Sequence, residues 1–244
     1  MTQTDPAPEN PDADASQSQW RAQLRTGGKR FLHGFREVGI VVGTALVLSV
    51  LLRTFVFQLF FVPSESMLNT LQVGDKIVAS KVTMTFDGVQ RGDVVVFHDP
   101  GDWLYAPVVQ SGWRGKVTSI LTDVGFLPSN SGEDLVKRVV GVAGDHVQCC
   151  SKSGQLIVNG HALTESAYAI GPTNQVDFDI TVPADHVFVM GDNRANSRDS
   201  RFHLETASGS VPLSEVRGIV VLKLWPLAHF GSVPAPAALT NAVK

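Results

Sequence analysis

From Val38 to Leu52 the chain runs fifteen positions without a charge, VGIVVGTALVLSVLL, and after Arg53 the apolar character resumes through TFVFQLFFV to Val62. Fifteen helical residues at about 1.5 Å each reach about 22 Å, short of an apolar layer about 30 Å thick. Extended past Arg53, whose guanidinium can snorkel to the headgroups, the segment is long enough. It therefore predicts one N-terminal transmembrane helix over residues 38–61. A buried core helix or a cleaved leader is the alternative. A cleaved leader would have a shorter apolar region and a small-residue exit, whereas this one leaves through Leu59-Phe60-Phe61-Val62. Phe55, Phe57, Phe60 and Phe61 are placed to dip into the membrane interface.

Beyond residue 62 the pattern changes to short runs rich in Val, Ile and Phe, punctuated by Gly, Pro and Asp. Lys76–Lys81, Asp93–Phe97, Leu135–Val142, Gln155–Val158, Asp185–Met190 and Gly218–Trp225 all suit strands. No ten-residue stretch here has helical amphipathicity. The expectation is a mainly β fold, an antiparallel β-sheet domain over 62–229. Residues 99–134 read as an irregular insertion. The Ala/Pro-rich stretch 230–244 reads as a flexible tail.

Composition adjusts this picture at the N-terminus. Residues 1–19 hold Asp5, Glu9, Asp12 and Asp14 with no Lys or Arg, and residues 20–37 hold Arg21, Arg25, Lys29, Arg30 and Arg36 against Glu37. The first cannot bury enough surface to offset its ordering entropy, so 1–37 reads as a disordered tail, acidic then basic. The basic cluster keeps that tail in the cytoplasm and puts everything after the anchor outside: a single-pass protein of the cell membrane. A net charge of -3, from 20 Lys and Arg against 23 Asp and Glu, argues against a nucleic-acid partner.

Cys149 and Cys150 are adjacent. Neighbouring Cα atoms about 3.8 Å apart fall below the usual disulfide range of about 4.4–6.8 Å. Two free thiols are expected, with a vicinal or intermolecular disulfide as the alternative. No HExxH, CxxC or His cluster is present, so no metal is expected.

Candidate chemistry begins where the apolar segment ends, in Pro63-Ser-Glu-Ser-Met67. A serine hydroxyl needs a base to become a nucleophile. His203 follows Asp199 by four residues and is the candidate for a Ser-His-Asp set, although a histidine satisfied within a polar network fits it better. The other candidate base is Lys137, in Leu135-Val-Lys-Arg-Val-Val140. Strand alternation puts it on one face with Leu135 and Val139, and burial there lowers a lysine from its ordinary value of about 10.4. On composition alone, a lysine guarding an exposed sheet edge is the stronger alternative. Gly191-Asp-Asn-Arg-Ala-Asn-Ser-Arg-Asp-Ser-Arg201, following an apolar strand, predicts a loop held in one shape by hydrogen bonds, or else a solvated turn.

Taken together, PSESM-NTL-VGD, the LVKRVVGVAGD run and the GDNRANSRDSR loop, in that order behind an anchor, resemble the boxes of the type I signal peptidases. Arg91-Gly-Asp-Val-Val-Val-Phe97 between the first two fits as well. The resemblance spans about residues 38–225. It implies the β-fold shared with LexA-like proteases, and a membrane-bound serine endopeptidase that removes N-terminal signal peptides after small residues of the Ala-x-Ala type. By it, Ser66 is the nucleophile and Lys137 the general base. The Ser64 hydroxyl and the Ser66 N–H form the oxyanion hole, and Ser197 orients the lysine. Asp199 and Arg201 form an ion pair behind the site, with Asp192 and Arg194 supporting the loop. Phe60, Val62, Met67, Leu71, Ile77, Leu135 and Val136 line pockets for small side chains. The implied partners are preprotein signal peptides, the lipid bilayer and a nearby secretion translocon; no cofactor is implied.

Two positions depart from the family pattern. Asn69 stands where proline is usual, which leaves the turn after Ser66 without a fixed φ, and Ala195 stands where an acidic residue is usual. Two rival readings are a self-cleaving Ser/Lys protease of the LexA type and an inactive, membrane-tethered peptide-binding homologue.

Overall fold

The computed structural model describes residues 37–50, 56–101, 103–104 and 134–240. The chain divides into two units, residues 1–50 and 51–244. In the first, residues 37–50 form a helix, α1. Among the described residues no helix is long and apolar enough to cross a membrane. The tail expected over residues 1–37 falls outside them apart from Glu37, as do residues 51–55 and most of the insertion expected over 99–134.

In the second unit the strands are β1 (Phe57–Phe61), β2 (Lys76–Ser80), β3 (Val94–His98), β4 (Asp134–Val142), β5 (His146–Cys149), β6 (Ile157–Val158), β7 (His161–Ala162), β8 (Phe178–Thr181), β9 (His186–Met190), β10 (Val211–Pro212), β11 (Val216–Trp225) and β12 (Gly231–Ser232). Helices α2 (Lys81–Asp87) and α3 (Ala237–Thr240) complete the set. The larger sheet runs β1-β2-β11-β3-β4-β9-β10, with β12 beside β11; the smaller runs β7-β6-β5-β8. Every ladder is antiparallel, as the strand pattern predicts.

The unbroken apolar run of β3 follows from its central place. Val94 and Val96 pack on one face with Phe60, Met67 and Ile77, while Val95 and Phe97 pack on the other with Val139, Val189 and Ile219. A strand covered on both faces has no polar alternation to show. A third cluster joins the sheets, with Val140, Phe188 and Met190 of the larger against Val147, Val158 and Phe178 of the smaller.

Four expectations change here. The segment expected to be an anchor to residue 61 gives up its last five residues to β1, which pairs with β2 from Phe57↔Ser80 to Phe61↔Lys76. Phe60, expected at a lipid interface, is buried in the core, whereas Phe57 is about half exposed. Residues 230–240 are not a loose tail: Gly231 and Ser232 pair with β11, and Leu239 of α3 is fully buried in the cluster between the sheets. Burying this apolar side chain offsets part of the freedom the segment gives up. Cys149 and Cys150 are joined as a vicinal disulfide rather than free. Their peptide bond is cis.

Candidate active site

Three pieces of chain meet at the end of β4. The turn Glu65–Met67 follows directly on β1, Lys137 lies within β4, and the loop 191–201 leaves β9. At the level of Lys137, β4 is bonded to β3 through Val95↔Lys137, while β9 begins to pair only at Arg138. The Leu135–Lys137 edge therefore has no strand beside it among the described residues.

Lys137 Nζ donates to Ser66 Oγ at 2.5 Å. The lysine is 3% exposed and Ser66 7%. Burial pushes the Lys137 ammonium down from 10.5 to about 8; the carboxylates of Asp199 and Asp192 oppose that fall, and Arg201 adds to it. Burial wins because a charge removed from water loses more than the distant carboxylates return. The edge-lysine reading fails on this burial.

Ser64 Oγ stands 3.3 Å from Ser66 Oγ on the exposed side of the turn. The hydrogen bond expected from Ser197 to the lysine is not formed; the Ser197 Oγ donates instead to Asp199 Oδ2 at 2.7 Å. Asp199 and Arg201 form the expected ion pair, Nε to Oδ1 at 2.8 Å and Nη2 to Oδ2 at 3.0 Å, with both side chains fully buried. Burial would raise the Asp199 carboxyl, but the hydrogen bonds and charge of Arg201, the Gly191 N–H and the Ser197 hydroxyl outweigh it and hold the group below the ordinary carboxylate range.

Asp192 and Arg194 support the loop, through partners that the sequence reading did not single out. Arg138, beside the lysine, donates to both carboxylate oxygens of Asp192 at 2.8 and 2.7 Å, and Thr70 Oγ1 donates to Oδ2 at 2.5 Å. Arg194 donates to the Gly191 carbonyl at 2.9 Å and to both oxygens of Glu165 at 3.0 and 2.5 Å. An arginine in the middle of an apolar strand was the available signal for Arg138, since a buried guanidinium demands a partner. Glu165 carried no local signal. The loop also holds the Ser66 turn directly: Asn193 N–H donates to the Ser66 carbonyl at 3.0 Å, and its side chain to the Glu65 carbonyl at 3.2 Å. Gly191 leaves room for this contact, because a Cβ there would stand 2.5 Å from both Ser197 Cβ and the Ser66 carbonyl oxygen.

The seven expected pocket residues do not form one wall. Phe60, Val62, Met67, Leu71 and Ile77 pack together in a buried cluster with Val136 at its margin, while Leu135 turns to the opposite face. Alternation along β4 separates neighbours that the resemblance grouped. Met67, Leu71 and Ile77 are at most 1% exposed. A cavity of about 520 Å3 opens elsewhere, lined by Gly154, Leu163, Glu165, Thr173 and Asn174 among others. His203 is no triad member: its ring stacks on Trp103 at 4.5 Å, burial lowers its pKa, and its Nε2 has no hydrogen-bond partner among the described residues. No cluster of three or more potential metal ligands occurs among the described residues.

A serine hydroxyl set against a buried, readily deprotonated amine, at an open strand edge of an antiparallel β-domain, has the chemistry of a serine hydrolase. Comparison narrows the class. Over residues 35–225 the chain matches the family described as "Signal peptidase, peptidase S26", and it belongs to that family. It is 35% identical to the signal peptidase I of Mycobacterium tuberculosis (strain H37Rv), over 91% of this chain and 83% of that one. It is 34% identical to a probable signal peptidase I of Mycobacterium leprae (91% and 86%), and 33% identical to the signal peptidase I of Leptolyngbya laminosa (95% and 95%). The chain is a serine endopeptidase of the signal peptidase I kind.

Proposed function

We propose that the protein cleaves signal peptides from exported preproteins after small residues of the Ala-x-Ala type, held at the membrane by its N-terminal segment with the β-domain outside. Ser66 is the nucleophile and Lys137 the base. The observation that carries this reading is the 2.5 Å contact between their side-chain atoms in a buried setting.

The preprotein lies extended along the Leu135–Lys137 edge of β4, hydrogen-bonding as an added strand, with its small side chains toward Val136, Val62 and Met67. Lys137, deprotonated, takes the Ser66 hydroxyl proton as Oγ attacks the scissile carbonyl carbon. The carbonyl oxygen becomes an oxyanion, held by the Ser64 hydroxyl and the Ser66 N–H. The C–N bond breaks, the lysine returns its proton to the leaving amine, and the mature protein departs. Water then attacks the acyl-Ser66 ester, giving up a proton to Lys137; the signal peptide leaves with a new carboxylate and Ser66 regains its proton. Preorganised oxyanion donors are worth about 3–4 kcal/mol each. The tether confines enzyme and substrate to one thin layer, which raises their effective concentration. Lipid and the neighbourhood of the secretion translocon are its setting.

Cleavage of a preprotein by the full chain in detergent micelles tests the reading. Ser66→Ala and Lys137→Ala abolish processing. Lys137→Arg also abolishes it, because a guanidinium keeps its proton in a protein. Activity retained in Lys137→Arg rejects the lysine base, and no processing by the unaltered chain favours an inactive peptide-binding homologue.

A further inference from the structure

Asn69 and Ala195, the two positions at which the chain departs from the family pattern, meet the same stretch of backbone. Asn69 Nδ2 donates to the Tyr168 carbonyl at 3.1 Å. Ala195 lies against Gly171, where an added Cβ would come within 2.9 Å of the alanine methyl. This stretch, residues 165–173, connects β7 to β8 and holds the loop behind the base at several more points. Ile170 exchanges backbone hydrogen bonds with Asp192 and Arg194, both at 2.8 Å. Glu165 takes the Arg194 guanidinium, and the Tyr168 ring lies 5.0 Å from the guanidinium of Arg138 and 5.9 Å from that of Arg194.

We propose that Asn69 is a positioning residue for Ser66: its carboxamide clips the nucleophile-bearing turn to the 165–173 segment, which braces the loop on the far side of the site. The proposal rests on the reading of Ser66 as nucleophile. Asn69 has φ +86°. Asparagine tolerates that left-handed conformation better than most side chains, and the proline ring, locked near −65°, excludes it. The family's proline would set this turn by its own ring; here the backbone takes a shape proline cannot reach, and a side-chain bond to a remote segment sets the turn. Thr70, the next residue, ties the same turn to Asp192. Two consecutive side chains thus fasten the turn to two different elements, and the direction of Ser66 Oγ toward Lys137 depends on both.

The test uses the full chain in detergent micelles with a signal-peptide substrate, measuring kcat, KM and the thermal midpoint. Asn69→Gly keeps access to φ +86° and removes the donor; Asn69→Asp keeps the size and also removes it. Each lowers kcat about five- to tenfold, the worth of one hydrogen bond, with KM and the thermal midpoint close to those of the unaltered chain. Asn69→Pro, which would restore the family residue, lowers kcat further rather than improving it. Unaltered kcat in Asn69→Gly or Asn69→Asp overturns the proposal, as does a loss that follows a fall in thermal midpoint or a rise in KM. Wild-type kcat in Asn69→Pro overturns it too. Absence of cleavage by the unaltered chain instead sinks the assignment of Ser66, and this proposal with it.

Discussion

Lys137 Nζ and Ser66 Oγ are 2.5 Å apart although 71 positions separate them in the chain. Burial that brings the lysine down to about 8 makes the contact chemically useful, since only the neutral amine can accept the serine proton. The rate therefore follows the deprotonated fraction: kcat/KM on a signal-peptide substrate rises with pH and levels off above about 8. A limb that keeps rising toward the ordinary lysine value of 10.5 contradicts this.

The same burial carries a cost in stability. With the folded value near 8 and the ordinary one at 10.5, the unfolded chain binds the extra proton between them, so stability rises with pH through that window. At about 1.4 kcal/mol for each pH unit the cost at pH 7 is about 3 kcal/mol. Lys137→Met is inactive and more stable than the unaltered chain at pH 7, by up to that amount. Its advantage fades by about pH 10, as thermal unfolding at the two pH values will show.

Arg138 and Asp192 form a bidentate pair with side chains at most 2% exposed. Removing one partner strands the other in the interior, so Asp192→Leu and Arg138→Met each destabilise by about 3–5 kcal/mol. The double variant Arg138→Met/Asp192→Leu loses less than the sum of the single changes. A double-mutant cycle from chemical unfolding checks the coupling.

Ser64 Oγ lies 3.3 Å from Ser66 Oγ. If it is one of two oxyanion donors, Ser64→Ala lowers kcat about a hundredfold or more while leaving the Ser66 backbone donor in place. An unchanged kcat removes Ser64 from the oxyanion hole.

Leu239 is fully buried. Leu239→Ala leaves a cavity between the two sheets and costs about 2–5 kcal/mol, measured by chemical unfolding. A flexible tail would give no change.

Much of the β-domain was legible because its signals are local. Apolar runs between Gly and Asp located β2, β3, β4, β9 and β11 to within a few residues. The order of the serine turn, the lysine strand and the polar loop pointed to the right family. Other features left no local trace. Phe57–Phe61 is as apolar as the segment before it, and only pairing with β2 makes it a strand. Leu239 sits in an Ala/Pro-rich stretch whose composition says nothing of the cluster that receives it. Glu165 and Tyr168 looked like ordinary residues of a connecting stretch until the fold set them against Arg194 and Asn69.

Residue type and spacing alone determined that this chain carries an apolar N-terminal segment, a mainly β domain and a set of serine, lysine and loop residues in a recognisable order. Those properties depend on neighbours a few positions apart. Which lysine face is dry, which carboxylate Ser197 holds, which side of the sheet receives Leu135 and what fastens the turn at Asn69 were decided by the tertiary structure. Burial and hydrogen bonding arise between groups tens of residues apart, and a linear pattern does not encode the distance between them.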